Sequence, residues 1–237
     1  MGTFTKLDDF NISDLPYRFV FGKEDYSSSN VRQANVNTLI NIKANYGKSI
    51  AKWSNVFELG EPMLSSFIAV ESSGKMVGKN GAGAIGLTQV TAVLVRESVS
   101  KFKTITKSDL PKEAVTSIKS KAPFLLSLTP NNQDLSSSNI SKLESLLKSD
   151  SDFNILMGAL GLRWGLEITK ALDKTYLQKG IIAYNQSAYG DISRYKNKNV
   201  STLTLFKDKG IPKETRNYLV KILGIDGFLE LYAKENI

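Results

Sequence analysis

Apolar residues recur at helical spacing over five parts of the chain. The first runs from Val36 to Phe57, where apolar side chains mostly fall three or four residues apart, although Gly47 interrupts the pattern. The second starts close to Pro62, a residue suited to the first turn of a helix, and continues through Glu71. The other three predicted helices begin at Asn154, pass through Ile181, Ile182 and Tyr184, and extend from Pro212 to Gly224.

Polar stretches precede and separate these helices. Residues 1–35 are polar and irregular, with an aromatic cluster at Tyr17, Phe19 and Phe21, and we expect them to form an N-terminal arm. Five glycines between Gly74 and Gly86 predict a loop with unusual backbone dihedrals. Residues from about 98 to 150 are rich in Ser and Lys, and prolines divide them, which predicts an insertion of short helices and loops. Residues 36–237 are therefore expected to form one mainly α domain that carries this insertion.

The composition excludes several kinds of catalytic chemistry. The chain contains no cysteine, which excludes disulfides, thiol nucleophiles and thiolate metal sites. It also contains no histidine, which excludes imidazole acid–base chemistry and histidine-bound metals. Any catalysis must therefore use carboxylates, tyrosine, lysine or hydroxyl groups.

The charge balance is basic, with 31 Lys and Arg against 23 Asp and Glu and a net charge of +8. Such a charge attracts polyanions, whether nucleic acid, an anionic membrane surface or an acidic wall polymer. No short basic block favours nucleic acid, and no apolar run is long enough to span a membrane. The N-terminus lacks the pattern of a secretory signal, so we expect the protein to stay in the cytoplasm unless other machinery delivers it.

Glu71 is the candidate catalytic residue of the second predicted helix. Leu64, Phe67 and Ile68 stand seven, four and three residues before it, which places its carboxyl on the apolar face of the helix. Burial disfavours the charged form, so we expect a raised pKa, as suits a general acid. The alternative is a buried glutamate paired with Arg96, Arg163 or Arg216 for stability.

Four short motifs stand in order along the chain. The first joins Glu71-Ser72-Ser73 to Gly83-Ala84-Ile85-Gly86-Leu87-Thr88-Gln89. The others are Asn154-Ile155-Leu156-Met157-Gly158, Ala183-Tyr184-Asn185 and Ile211-Pro212-Lys213-Glu214-Thr215-Arg216-Asn217-Tyr218-Leu219. Together they resemble the signature of the soluble lytic transglycosylases, glycoside hydrolase family 23. That signature reads E-S-x, G-A-x-G-L-M-Q, N-I-x-x-G, A-Y-N and I-P-x-E-T-x-x-Y-V, and the resemblance covers roughly residues 40–223.

The resemblance implies a lysozyme-like α+β domain with helical lobes around a glycan cleft and little β structure. It implies that the substrate is peptidoglycan, cleaved at the β-1,4 bond between N-acetylmuramic acid and N-acetylglucosamine. Glu71 would protonate the bridging oxygen and then accept the proton of the muramic C6 hydroxyl as it attacks C1, which leaves a 1,6-anhydro end. This route implies no cofactor, no metal and no second carboxylate as nucleophile. No other Asp or Glu stands between Glu71 and Glu97.

The same resemblance implies which residues bind the substrate. We expect Gln89 to line the cleft, and Gly83 and Ala84 to bring the backbone close to the sugar. Tyr184 is expected beside Glu71, where it orients the carboxyl or contacts the sugar, or else is a core tyrosine with a satisfied hydroxyl. For Asn185 and Glu214, a structural role is the alternative to substrate binding. Asn185 would stabilise the turn after its helix, and Glu214 would be a carboxylate that favours the first turn of its helix. The expected substrate-binding set is Ser73, Asn80, Gly83, Ala84, Gln89, Tyr184, Asn185 and Glu214.

The motifs depart from the family pattern at positions that bear on glycan contacts. Thr88 replaces the usual methionine, Asn80 stands where serine is common, and the proline usual after the glutamine is missing at Thr91-Ala92. Residues 186–190 also lengthen the segment after A-Y-N.

Two alternatives to the transglycosylase are a goose-type hydrolysing lysozyme of the same fold and a catalytically silent structural or glycan-binding virion protein. Since no export signal is expected, we predict a bacteriophage particle or lysis protein, or else a component of a secretion machine. The partners would then be glycan strands and other proteins of that assembly. A nucleic-acid partner is not expected, because it would rest on the net charge alone.

Overall fold

The computed structural model describes residues 29–169, 176–186, 210–224 and 226–237, and over these ranges the protein is mainly helical. The helices are α1 (Ser29–Val56), α2 (Glu61–Ser72), α3 (Ala92–Thr106), α4 (Lys112–Lys121), α5 (Ser137–Ser149), α6 (Ser151–Thr169), α7 (Tyr176–Gln186), α8 (Lys213–Leu223) and α9 (Phe228–Lys234), with a 3₁₀ helix at Pro123–Ser127. Strands β1 (Ala84–Ile85) and β2 (Val90–Thr91) pair antiparallel, with Ala84 opposite Thr91. Within these ranges, no helix combines the length and apolar character needed to cross a bilayer.

Helix α1 begins earlier than its apolar pattern indicates. It is continuous over 28 residues from Ser29, so residues 29–35, expected in the irregular arm, are helical. That first part is polar, and Arg32 within it forms ion pairs with Glu235 and Asp226 near the C-terminus. Gly47 does not break the helix, because buried residues such as Leu39 and Trp53 anchor it on both sides. Residues 1–28 of the expected arm lie outside the described ranges.

Helix α3 crosses residue 98, where the insertion is expected to begin. Helix α3 starts at Ala92, where the side chain of Thr91 accepts the Leu94 N–H at 3.1 Å, and continues unbroken to Thr106. It does so because Val95 and Phe102, on either side of the expected boundary, are both completely buried in the core. The short helices predicted after it are present, and they share that core. Residues 107–150 therefore pack into the core of the domain, and their origin as an insertion stays a prediction.

Helix α6 is the buried centre of the domain and packs against α1, α3, α5 and α7. Two of its glycines allow neighbouring side chains to pack closely against it. A Cβ atom at Gly158 would lie 2.4 Å from Cγ2 of Thr88, and one at Gly161 would lie 3.1 Å from Cδ2 of Leu94. Thr88, which stands where the family motif has methionine, therefore packs against Gly158 and is itself buried.

Side-chain hydrogen bonds of Asn154 join the hairpin formed by β1 and β2 to α6. Its Oδ1 accepts hydrogen bonds from the backbone N–H and the hydroxyl of Thr88 at 3.0 and 2.9 Å. Its Nδ2 donates to the carbonyl oxygens of Ile85 and Leu147 at 3.0 and 2.9 Å. A Cβ atom at Gly86 would fall 2.0 Å from Nδ2, so only glycine leaves room for the amide. Because Asn154 is fully buried, water cannot replace these bonds.

We predict that Asn154→Ala lowers the free energy of unfolding by about 3–4 kcal/mol, because it leaves several buried polar groups without partners. Urea denaturation followed by circular dichroism measures the change. Asn139→Ala on α5, whose side chain makes none of these bonds, is the control. A loss below about 1 kcal/mol in Asn154→Ala would show that the hairpin does not depend on this amide.

Candidate active site

A cleft of about 840 Å³ opens between α2, the hairpin, α3 and α8, with α6 and α7 at its base. Its lining residues are Val70, Glu71, Asn80, Ala82, Ala84, Gln89, Thr91, Val93, Leu94, Glu97, Trp164, Tyr184, Asn185, Glu214, Asn217, Tyr218 and Lys221. Amide side chains, aromatic rings and carboxylates thus face one shared space. Such a mixture suits a polar ligand that also presents apolar faces.

The carboxyl of Glu71 lies on the wall of this cleft, in the last turn of α2. The hydroxyl of Tyr218 on α8 donates a hydrogen bond to its Oε1 at 2.5 Å. Phe67, one turn before Glu71, packs edge-on against the Tyr218 ring with centroids 5.9 Å apart. Two residues 147 positions apart in the sequence are therefore held as one unit.

The pKa of Glu71 is raised from 4.5 to about 7, and burial is the largest cause. The hydrogen bond from Tyr218 acts in the opposite direction, because it stabilises the carboxylate, and the nearby negative charge of Glu214 raises the pKa further. A carboxyl with this pKa is partly protonated at neutral pH. It can therefore give up a proton and later accept one.

The arginine-paired alternative for Glu71 does not fit these contacts. Arg163 bonds Glu167 on its own helix at 2.5 Å, and Arg96 donates to the carbonyl oxygen of Gln133 at 3.2 Å. Among the described residues, no ion pair joins Glu71 to an arginine. Its partner is the neutral hydroxyl of Tyr218, which leaves the carboxyl free to change its protonation state.

Tyr184 lines the cleft, but its hydroxyl does not reach the carboxyl of Glu71. The hydroxyl donates to the carbonyl oxygen of Thr88 at 2.8 Å, and the ring packs edge-on against Phe67 at 5.2 Å. Of the two roles expected for Tyr184 beside Glu71, Tyr218 takes the one of bonding the carboxyl, and contact of Tyr184 with the sugar stays a prediction. The hydroxyl of Tyr184 instead ties α7 to the hairpin, as in the core-tyrosine alternative.

The hairpin and the turn before it place three of the expected residues in the cleft. Oδ1 of Asn80 accepts the backbone N–H groups of Ala82 and Ala84 at 2.9 and 3.0 Å, and its Nδ2 donates to Gln89 at 3.2 Å. Gln89 in turn donates to the carbonyl oxygen of Gly86 at 2.8 Å. Asn80, Ala84 and Gln89 line the cleft, while Gly83 shapes the same turn with a φ of 82°. Whether they bind substrate stays a prediction.

Asn185 and Glu214 also reach the cleft, from neighbouring helices. Asn185 lies within the last turn of α7, not in a turn after it, and its Oδ1 accepts the hydroxyl of Thr215 at 2.6 Å. This bond joins α7 to α8. Glu214 stands in the first turn of α8 and lines the cleft. Its position is therefore compatible both with stabilising the N-terminus of the helix and with binding substrate.

Ser73 lies outside the cleft, contrary to expectation. It is the C-cap of α2 with a φ of 54°, and its N–H donates to the carbonyl oxygen of Ala69 at 3.0 Å. Two residues along a helix correspond to about 200° of rotation, so Ser73 faces away from Glu71. It lines a smaller cavity of about 210 Å³ instead.

Three further charged or aromatic residues line the cleft and are absent from the expected set: Tyr218, Glu97 and Lys221. Tyr218 and Lys221 stand four and seven residues after Glu214, so helical spacing places all three on one face of α8 and could have indicated them. Glu97 faces the cleft from α3 and pairs with Lys101 at 3.2 Å. The cleft therefore contains more than one carboxylate, although no Asp or Glu stands between Glu71 and Glu97 in the sequence.

No model of a known protein family matches the sequence. A search of curated proteins finds none with significant similarity to it.

We predict that Glu71→Gln removes a pH dependence of stability. The folded-state pKa of Glu71 exceeds 4.5, so the stability from its neutral form is complete below pH 4.5 and is lost as the pH rises to about 7. At pH 8 the Gln variant should be more stable than the parent by up to about 3 kcal/mol. Urea denaturation from pH 4.5 to 8 measures the difference.

Glu113→Gln, at an exposed position on α4, is the control and should show no such pH-dependent gain. Parallel stability curves for Glu71→Gln and the parent protein would contradict the raised pKa.

Proposed function

We propose that the protein is a lysozyme-like lytic transglycosylase that cleaves peptidoglycan between N-acetylmuramic acid and N-acetylglucosamine. The observation that carries the proposal is the carboxyl of Glu71, held by Tyr218 on the wall of an open cleft with a pKa of about 7. The motif order that resembles family 23 adds to it. The mainly helical architecture of the described residues, with the small β1–β2 hairpin, is compatible with the proposed fold.

In the proposed reaction, protonated Glu71 donates its proton to the bridging oxygen while the bond from that oxygen to C1 of muramic acid breaks. The C6 hydroxyl of the same sugar then attacks C1, and the carboxylate of Glu71 takes the hydroxyl proton. The products are a 1,6-anhydromuramic end and a free 4-hydroxyl on the leaving N-acetylglucosamine. Tyr218 positions the carboxyl by hydrogen bonding through both steps.

The lining of the cleft supports a glycan substrate. Asn80, Gln89, Asn185 and Asn217 present amide groups, which can bond sugar hydroxyls and N-acetyl groups. A volume of about 840 Å³ is enough for more than one sugar ring. The predicted virion or secretion-machine setting is part of this proposal, since the enzyme would need delivery to the wall.

A hydrolysing lysozyme is the second candidate, and the positions of Glu97 and Glu214 favour it. Both line the same cleft as Glu71, and a second carboxylate can activate a water molecule for attack on C1. The two reactions leave different ends. Water produces a reducing sugar, whereas the C6 hydroxyl produces an anhydro sugar that is lighter by one water molecule.

We expect purified protein to digest isolated sacculi and to release anhydromuramic products, as identified by mass spectrometry. Glu71→Gln should lower the rate at least about 10³-fold, because it removes the proton donor. Glu113→Gln should retain the parent rate. Reducing ends would identify the hydrolase, and equally poor digestion by the parent protein and Glu71→Gln would refute an enzyme.

We also predict that Tyr218→Phe moves the alkaline limb of the pH profile of kcat/KM upward from about pH 7. The rate requires protonated Glu71 and falls as the pH passes its pKa, and loss of the hydroxyl removes the contact that lowers this pKa. A shift of up to about one pH unit is expected.

Tyr184→Phe is the matched control for this profile, because its hydroxyl bonds Thr88. The limb should stay near pH 7 in that variant. A limb that also stays in place in Tyr218→Phe would mean that Tyr218 does not act on the proton donor.

A further inference from the structure

A further cavity lies where α1 passes residues 235–237. Its volume is about 390 Å³, and its lining residues are Val36, Ile40, Lys43, Ala44, Glu235, Asn236 and Ile237. We call this cavity the α1 groove. Among the described residues, none lines both this groove and the cleft, so the groove is a separate surface from the candidate active site.

The apolar residues of the α1 groove lie along one face of the helix. Val36, Ile40 and Ala44 are spaced four residues apart, and Val36 is buried. Ile40 is 49% exposed, and Ala44 beside it is also exposed. Ile237, which packs against the core, adds further apolar surface. The groove is thus a concave apolar surface open to solvent, as expected of a docking site for another apolar segment.

The chain itself contains a segment of matching character, at residues 15–21. In this segment Leu15, Tyr17, Phe19 and Phe21 stand two residues apart. Side chains two residues apart in an extended segment face the same side, so these four would form one apolar face. The sequence therefore supplies an apolar strip that suits the groove.

This segment is long enough to reach the groove. Ser29 is the first residue of α1, and Ile40 lies eleven residues further along the helix, or about 16 Å away. The chain from Phe21 to Ser29 has eight residue steps, which span up to about 27 Å when extended. Residues 15–21 can therefore fold back along α1 and meet the groove.

Charge favours the same course of the chain. The charged residues of α1 are all basic: Arg32, Lys43, Lys48 and Lys52. Residues 1–28 contain five acidic and three basic residues and so carry −2, whereas the remaining 28 basic and 18 acidic residues give +10. Three of the acidic residues stand before the apolar strip, namely Asp8, Asp9 and Asp14. A course antiparallel to α1 brings them towards the later lysines of the helix, where opposite charges attract.

We propose that residues 15–21 bind in the α1 groove of the same molecule, antiparallel to α1 and with their apolar face on Ile40. The inference is independent of the proposed activity, because the groove shares no residue with the cleft. It gives the N-terminal segment a role, since the segment would cover exposed apolar surface next to the ion pair of Arg32 with Glu235. The contact of α1 with the C-terminal residues would be strengthened in this way.

A disulfide test is direct, because the chain contains no cysteine of its own. Phe19→Cys combined with Ala44→Cys can form a disulfide where the segment meets the groove. The matched control combines Phe19→Cys with Asn45→Cys, since Asn45 is also exposed but lies about 100° further round the helix. Equilibration with glutathione, followed by electrophoresis without reductant and mass spectrometry, gives the effective concentration of each thiol pair. We expect it to be at least about tenfold higher for the Ala44→Cys pair.

Further variants connect the result to the apolar strip. Adding Tyr17→Ser and Phe21→Ser should return the ratio of the two effective concentrations to about one, because the strip no longer binds. Adding Phe4→Ser, at an aromatic residue outside the strip, should leave the ratio unchanged. A ratio near one without these changes would refute the proposal. Disulfides that join two molecules through Ala44→Cys would also refute it and would identify a second copy as the occupant of the groove.

Discussion

The site depends on one constraint: the carboxyl of Glu71 must be buried enough to stay protonated near neutral pH and still face an open cleft. Burial alone would raise the pKa of the carboxyl and leave the group inert. Full exposure would return the pKa to the usual range of a carboxyl. The hydroxyl of Tyr218 reconciles the two conditions, because it holds the carboxyl in place and stabilises its charged form at the same time.

The rest of the fold supports this arrangement through a continuous series of contacts. Asn154 fastens the hairpin to α6, and the hydroxyl of Tyr184 reaches the carbonyl oxygen of the hairpin residue Thr88. The ring of Phe67 then packs against both Tyr184 and Tyr218. The series therefore runs through Asn154, Thr88, Tyr184, Phe67, Tyr218 and Glu71. The glycines at 86 and 158 make room for the first two of these side chains.

Local sequence patterns predicted many of the helices and the helix face that carries Glu71. The features that these patterns missed depend on contacts between residues far apart in the sequence. The periodicity around Phe67 indicated the apolar face that carries Glu71, and Pro212 and Gly224 marked the limits of α8 correctly. The first turns of α1 were missed because they carry little apolar pattern, and the ion pair of Arg32 joins a residue far along the chain, Glu235. Tyr218 was missed as the partner of Glu71 because nothing local in the sequence relates two residues 147 positions apart. Ser73 was misplaced because a motif does not show where the helix ends.

The protonation state of Glu71 is the property on which the proposed chemistry rests, and it can be observed without substrate. Carbon-detected NMR of selectively labelled glutamate, with Glu71→Gln to assign the resonance, follows the titration of this single carboxyl in the intact protein. We expect a midpoint near pH 7. A midpoint at or below pH 4.5, the value of an ordinary glutamate, would contradict the assignment of Glu71 as a proton donor near neutral pH.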